Sequence, residues 1–272
     1  MRPTVAILGA GSMGEILAEG LLRAGWTTED IVLAARRQER ATEAERHTGI
    51  TTVLDAAEAA TGRDVVVAAV KPKDIPELLG AIRGVLTPDQ LLISLAAGVP
   101  IEVFERALPG IAVVRSMPNT PAAVDEGMSA YCGGSHADAD ALALAASVLS
   151  AVGETINLPE DLLDAVTAVS GSGPAYVFIL AEALTEAAIR EGLPHHAAER
   201  LVEQTVRGAG ILLSASEKSA FRLRAEVTSP GGTTAAAMHT LEDGGFRALM
   251  EDAVRSAASR SRELGAQAMP DD

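Results

Sequence analysis

Cysteine is almost missing from this chain: Cys132 is the sole one in 272 residues. One thiol excludes an internal disulfide framework and any multi-cysteine metal cluster, and it fits a reducing cytoplasm. With no Cys–His partnership suggested nearby, Cys132 reads as buried filler rather than a nucleophile. Histidine is sparse as well. His47, His136, His195, His196 and His239 form no HExxH and no paired spacing with carboxylates, so no metal site is expected. Cations are in short supply: 22 Lys and Arg stand against 37 Asp and Glu, and the formal charge of -15 repels nucleic acid and anionic membranes. The first apolar stretch is broken by glycines and followed by Glu15, so a signal peptide is not expected there. The longest uncharged stretch, 165–181, carries Ser170-Gly171-Ser172-Gly173-Pro174 in its middle and is not expected to form a plain transmembrane helix. What remains is a soluble globular protein without a membrane segment. Its 48% hydrophobic residues can bury the core of one large domain or two ordinary ones.

What the chain does have begins at its start. The apolar run Val5-Ala6-Ile7-Leu8 breaks into Gly9-Ala10-Gly11-Ser12-Met13-Gly14 and then turns amphipathic. Gly9 permits the tight turn out of a buried strand, Gly11 has no side chain to hold a pyrophosphate away, and Gly14 lets the next helix pack close. The N-H groups and positive dipole end of that helix face the phosphates. Glycine-rich turns are common, but here Ile16, Leu17, Gly20 and Leu21 keep helical spacing, Gly25 is placed to end the helix, and 31–35 supplies a second apolar run. This is a βαβ unit, and a dinucleotide is its expected ligand. At the end of the second strand an acidic residue would hold the ribose hydroxyls of NAD. The chain has Ala34-Ala35-Arg36-Arg37 there. Either the two guanidiniums receive a 2′-phosphate, which favours NADPH over NADH, or they are solvated cations opening the next helix.

By pattern the chain divides near residue 158. Before it, runs at 5–8, 31–35, 51–53, 65–70, 91–95, 112–115, 128–132 and 154–157 read as strands, with helical segments such as 75–86 and 137–151 between them. The expectation is an α/β doubly wound sheet over 1–158, with added strands at one edge. Beyond Pro159 no convincing strand remains, so 159–272 reads as an all-helical domain, with Pro174 opening one helix and a long last helix through Leu264. Its broad, alanine-rich apolar faces suggest that a partner subunit covers them; a self-contained helical core is the other possibility.

Three loops should border one crevice, because ligands of such sheets lie beyond the carboxyl ends of the strands. They are Val70-Lys71-Pro72, the 94–98 loop with Ala97, and Arg115-Ser116-Met117-Pro118-Asn119-Thr120-Pro121. Their small residues let a planar ring lie close, although Gly, Pro and Asn are also ordinary turn formers. In the helical half, Thr228-Ser229-Pro230-Gly231-Gly232-Thr233-Thr234 can turn N-H groups inward toward a carboxylate; helix capping alone would also explain it.

These motifs together closely resemble pyrroline-5-carboxylate reductase over essentially the whole chain. The resemblance is carried by 9–14, Ala69-Val70-Lys71-Pro72, 94–98, Met117-Pro118-Asn119-Thr120-Pro121-Ala122, Glu126-Gly127, 170–176 and 228–241. The last two are specific to that family, whereas the glycine motif occurs in many dehydrogenases. The resemblance implies an N-terminal Rossmann domain and a helical domain that interlocks with a second subunit, often in a ring of dimers such as a decamer. It implies NADPH-dependent reduction of Δ1-pyrroline-5-carboxylate to L-proline, the last step of proline synthesis. On this likeness Gly9, Gly11, Ser12, Met13, Gly14, Arg36, Arg37, Val70, Lys71, Pro72, Ala97 and Asn119 hold the cofactor. Ser229, Gly232 and Thr233 hold the substrate carboxylate, and Thr234 orients or relays the proton of the ring nitrogen. No strong acid stands in the motifs, so a preprotonated iminium is the expected reactant. Ala235-Ala236-Ala237-Met238 varies slightly from the family signature, and the positions of Arg36 and Arg37 vary within the family, so NADH use stays open. A β-hydroxyacid or ketopantoate type of reductase would share the first half but should carry a general-acid lysine. Between Asp161 and Thr234 only Lys218 occurs. A non-catalytic NADP-binding sensor is the remaining rival.

Overall fold

The computed structural model describes residues 2–268. Uninterrupted apolar runs suit strands covered on both faces. β1 (Val5–Leu8) is buried at every position; α1 (Ser12–Arg23) returns the chain to β2 (Ile31–Ala34), which is buried throughout as well. Then follow α2 (Gln38–Thr48), β3 (Thr52–Val53), α3 (Ala56–Ala60), β4 (Val65–Ala68), α4 (Ile75–Ile82), β5 (Leu91–Ser94), α5 (Ile101–Ala107) and β6 (Ala112–Met117). β7 (Gly127–Gly133), α6 (Ala139–Leu149) and β8 (Gly153–Asn157) complete the sheet region. The strand order is β3-β2-β1-β4-β5-β6-β7-β8, parallel except where β7 runs antiparallel to β6. The expected doubly wound sheet is present, with two strands added at one edge. One apolar layer gathers Leu8, Val66, Leu92 and Phe104 on one side of the sheet, and another gathers Ile7, Leu17, Leu33 and Ile93 on the other.

Several boundaries differ from the sequence expectation. The run 65–70 yields a strand only to Ala68, because Ala69 and Val70 turn out toward a cavity. The helix expected over 75–86 stops at Ile82, where Arg83 adopts an extended ψ of 125°. α6 starts two residues inside its expected range, since Asp138 caps it by accepting from the N-H of Ala141.

The stretch 160–190 keeps the expected helix start at Pro174, since a helix begins at Gly173 after a bend at Ser172, but the interruption at Ser170-Gly171-Ser172-Gly173-Pro174 is only local. A short turn at Glu160–Leu162 leads into α7 (Leu163–Val166), a π-type turn at Thr167–Gly171, and α8 (Gly173–Arg190). The wider π turn accommodates the glycine and proline cluster as a local change of hydrogen bonding instead of a stop. On length and composition alone this stretch, Glu160–Arg190, is long and apolar enough to cross a membrane.

α9 (His195–Ala215), α10 (Ala220–Glu226), α11 (Thr233–Asp243) and α12 (Phe246–Ala268) follow, and no strand occurs after Asn157 among the described residues. The chain forms two compact units. One runs up to Ser172 and includes the chain from Ser256 onward; the other is Gly173–Arg255. α12 therefore begins in the second unit and ends in the first. There Gly265 has no side chain because a Cβ would lie 2.5 Å from the carbonyl oxygen of Gly98, and Ser261 donates to Asp164 at 2.6 Å. The second unit buries little by itself: α8 has no buried residue, and Phe178 and Ile179 are 63% and 64% exposed.

Candidate active site

The order of strands reverses between β1 and β4, and a crevice opens beyond the carboxyl ends of the strands at such a point. A cavity of about 710 Å³ occupies it. On one side are Gly9, Ala10 and Gly11. Gly9 has a φ of 121°, and its N-H, like that of Ala10, bonds the Ala34 carbonyl at 3.0 Å. A Cβ on Gly14 would run into the carbonyl oxygen of Gly9, whereas one on Gly11 would meet nothing within 4 Å. Those two glycines serve different ends: Gly14 closes the helix onto the strand, and Gly11 leaves open space beside the helix end. Gly11 is also the cap of α1 and offers no side chain to the first-turn N-H groups, including those of Ser12 and Met13. An uncapped N-terminus facing a cavity is suited to a pyrophosphate.

The cavity is locally cationic although the chain is acidic. Arg36, Arg37, Arg40, Lys71 and Lys73 line it against Asp55, Asp74 and Glu77. Arg36 crosses from the end of β2 to the start of α4 and forms a two-pronged bond to Asp74, at 3.2 Å and 3.0 Å, with a further contact to Glu77 at 3.3 Å. Arg37 is exposed and makes no ion pair among the described residues. Arg40 is the residue that sequence reasoning missed. Its Nε donates to the Ala10 carbonyl at 2.5 Å, its Nη1 to Glu43 at 2.6 Å, and its Nη2 lies 2.6 Å from Glu15. Hydrogen bonding to Glu43 holds the Arg40 pKa above its ordinary value and that of Glu43 below. Arg40 thus ties the glycine turn to α2; its place three residues after Arg37 on a helix was the available signal.

The remaining sequence candidates lie apart from this cavity or at its edge. Val70 and Lys71 line it, while Pro72 opens the following turn at Pro72–Asp74 and is not part of the lining. Ala97 and Asn119 follow β5 and β6 and do not line it. Asn119 is engaged by the protein: its carbonyl oxygen accepts from the Met128 N-H at 2.8 Å and its amide donates to the Ser170 carbonyl at 3.1 Å. That fastens the loop after β6 to β7 and to the π turn.

In the second unit, the 228–234 loop joins α10 to α11. Gly231 has a φ of 70°, and the N-H of Gly232 bonds the Ser229 carbonyl at 3.0 Å, folding the loop back on itself. Gly232 caps α11 without a side-chain hydrogen bond. The hydroxyls of Ser229, Thr233 and Thr234 have no hydrogen-bond partner among the described residues, so capping does not account for them. Ser229 and Thr233 are exposed and Thr234 is half-buried. The loop repeats the device at α1: a glycine-capped helix start whose N-H groups are left for an anion.

Other candidates are plain. Cys132 is buried, which pushes its thiol up to about 11, with Glu160 nearby acting in the same direction. Lys218 is exposed and paired with Glu226 at 2.9 Å, a poor placement for a general acid. No group of three or more metal-ligating side chains occurs among the described residues.

Two family models match parts of the chain. Residues 160–264 match the family model described as pyrroline-5-carboxylate reductase dimerisation, and residues 4–98 match the one described as NADP oxidoreductase, coenzyme F420-dependent. The chain is 41% identical to the pyrroline-5-carboxylate reductase of Corynebacterium melassecola, with 96% of this chain and 98% of that protein covered. With the Mycobacterium tuberculosis protein of the same name the identity is 42%, covering 96% of each. Among solved structures, the Coxiella burnetii pyrroline-5-carboxylate reductase superposes with a TM-score of 0.91 at 38% identity, over 97% of this chain and 99% of that one. A Plasmodium falciparum pyrroline carboxylate reductase with NADP bound gives 0.87 at 29% identity, over 97% and 98%. About 40% identity over nearly the full length, with the match of 160–264 to the family's dimerisation model, places the chain in the pyrroline-5-carboxylate reductase family.

Proposed function

We propose that this chain reduces Δ1-pyrroline-5-carboxylate to L-proline, as a self-associating enzyme using NADPH in preference to NADH. The observation that carries the reading is the glycine-lined cavity at the strand reversal, locally cationic in a chain of charge -15. The cradle fits a dinucleotide, since a side chain at Gly11 would occupy the open space beside the α1 N-terminus. When bound, the reduced nicotinamide supplies a hydride to the imine carbon. Gly11, Ser12, Met13 and Gly14 hold the pyrophosphate through backbone N-H groups, and Gly9 makes the turn that brings them to it; Arg36 and Arg37 receive the 2′-phosphate. Val70, Lys71, Pro72 and Ala97 border the cofactor, and Asn119 keeps the loop after β6 in place.

Ser229, Gly232 and Thr233 hold the substrate carboxylate at the α11 N-terminus, and the Thr234 hydroxyl orients the proton on the ring nitrogen. The free hydroxyls of that loop support these assignments. No acid of the strength needed to protonate an imine stands there, so the residues act by orientation and charge placement on an iminium already formed. We assign 1–158 to cofactor binding and 159–272 to substrate binding and assembly. The exposed apolar residues of α8 suit a homodimer, with a decamer of five dimers as the larger form and the cytoplasm as the compartment. Following NADPH oxidation with and without pyrroline-5-carboxylate tests the reaction; no imine-dependent oxidation would overturn it and leave a cofactor-binding sensor. Light scattering across a dilution series tests the assembly.

A further inference from the structure

Two arginines beside an adenosine pocket suggest a strong preference for a phosphorylated cofactor, but the two are not equally free. Both terminal nitrogens of Arg36 are already bonded to both oxygens of Asp74, at 3.2 Å and 3.0 Å. That two-pronged edge is the one a phosphate would use. The Asp74 side chain is 14% exposed, whereas Glu77, which touches the same guanidinium at 3.3 Å, is 73% exposed and screened by water. Asp74 and Arg36 both line the cavity, in contact with each other.

We propose that Asp74 is a specificity-determining residue: its carboxylate occupies Arg36 in the free protein and competes with the 2′-phosphate for it. The proposal rests on the reading of Arg36 as a phosphate ligand. A dianionic phosphate brought to Arg36 must displace Asp74 or lie beside it, and either acts against NADPH alone, because NADH has no phosphate there. The preference for NADPH is therefore held below what the arginines alone would give. Arg37, which has no ion pair among the described residues, carries the part that Asp74 does not attenuate.

Fluorescence titration of NADPH and NADH on the full-length protein at fixed ionic strength tests this, with thermal unfolding to confirm that each variant is folded. Asp74→Asn keeps the shape and removes the charge, and should shift the ratio of the two dissociation constants about five-fold toward NADPH. Asp74→Glu should stay near the parent ratio, and Glu77→Gln should move it by less than about two-fold. In an Arg36→Ala background the Asp74→Asn shift should shrink to less than about two-fold, because the competition runs through the guanidinium and only screened repulsion remains. An unchanged ratio in Asp74→Asn, or a shift away from NADPH, overturns the proposal while an effect of Arg36→Ala leaves the phosphate reading standing. If Arg36→Ala itself leaves the ratio unchanged, that reading fails and the proposal fails with it.

Discussion

Gly11 and Gly14, three residues apart, separate folding from binding within a single motif. An alanine at 14 collides with the Gly9 carbonyl, a backbone atom that cannot swing aside, so Gly14→Ala should lower stability by about 1–3 kcal/mol. At 11 the same change meets open space at an ordinary φ of -90°, so Gly11→Ala should fold with a loss of at most about 1 kcal/mol while losing most cofactor affinity. Chemical unfolding beside NADPH titration distinguishes the two, and equal behaviour of both variants would contradict the cradle. Thr234 gives the second contrast. Its hydroxyl has no hydrogen-bond partner among the described residues, so Thr234→Ala should leave stability within about 0.5 kcal/mol and lower turnover, while Ser229→Ala should chiefly raise the substrate KM. A Thr234→Ala enzyme with normal turnover would return that residue to a structural role. Gly9, Gly11 and Gly14 were legible in the sequence because their roles are set by local backbone geometry. Arg40 and Asp74 were not, because their meaning comes from partners on other elements: the Ala10 carbonyl for one, the Arg36 guanidinium for the other.

Among the elements, one carboxylate joins three segments distant in sequence. Glu160 accepts from the Arg115 guanidinium of β6 at 3.0 Å and from the first N-H of α5, on Ile101, at 2.8 Å, at the point where the helical stretch toward α8 begins. The Arg115 side chain is only 7% exposed, so Glu160→Ala leaves a nearly buried cation and an unpaired N-H. The expected loss is about 2 kcal/mol, the lower side of a buried-pair deletion because Glu160 itself is partly exposed. Glu160→Gln should recover part of it, as measured by urea unfolding; a neutral Glu160→Ala would show that the junction does not depend on this carboxylate. Periodicity revealed that a sheet is followed by helices, and continuous apolar runs at 5–8 and 91–95 matched strands closely. It did not reveal how short the interruption at Ser170-Gly171-Ser172-Gly173-Pro174 is, a π turn and a bend at Ser172, because a π turn leaves no periodicity signal among glycine and proline.

Across the whole molecule the excess of acid has a definite signature. Hydrogen bonds from arginine or lysine hold several surface carboxyls below their usual range: Asp125 through Arg23, Glu226 through Lys218 and Glu242 through Arg247. A carboxyl whose pKa is depressed by folding contributes stability above its unfolded value, near pH 4, and loses it as pH falls through the folded value. The melting temperature should therefore vary little from about pH 7 to 5 and fall steeply below about pH 4. Raising the salt concentration should soften the fall, since these pairs are exposed. Differential scanning calorimetry over that range checks it, and a transition unmoved at pH 3 would rule the pairs out as a source of stability.

Because the last helix starts in one compact unit and finishes in the other, the first unit cannot be completed in the order in which a ribosome delivers the chain. Its final segment, from Ser256 on, emerges only after all of Gly173–Arg255, an interval of roughly 4–17 s at about 5–20 residues per second. During that time the Gly98 loop and Asp164 stand without Gly265 and Ser261 against them. The nascent sheet must therefore persist as an unfinished body, and the second unit has the topology of an insert that must itself be made before its host can close.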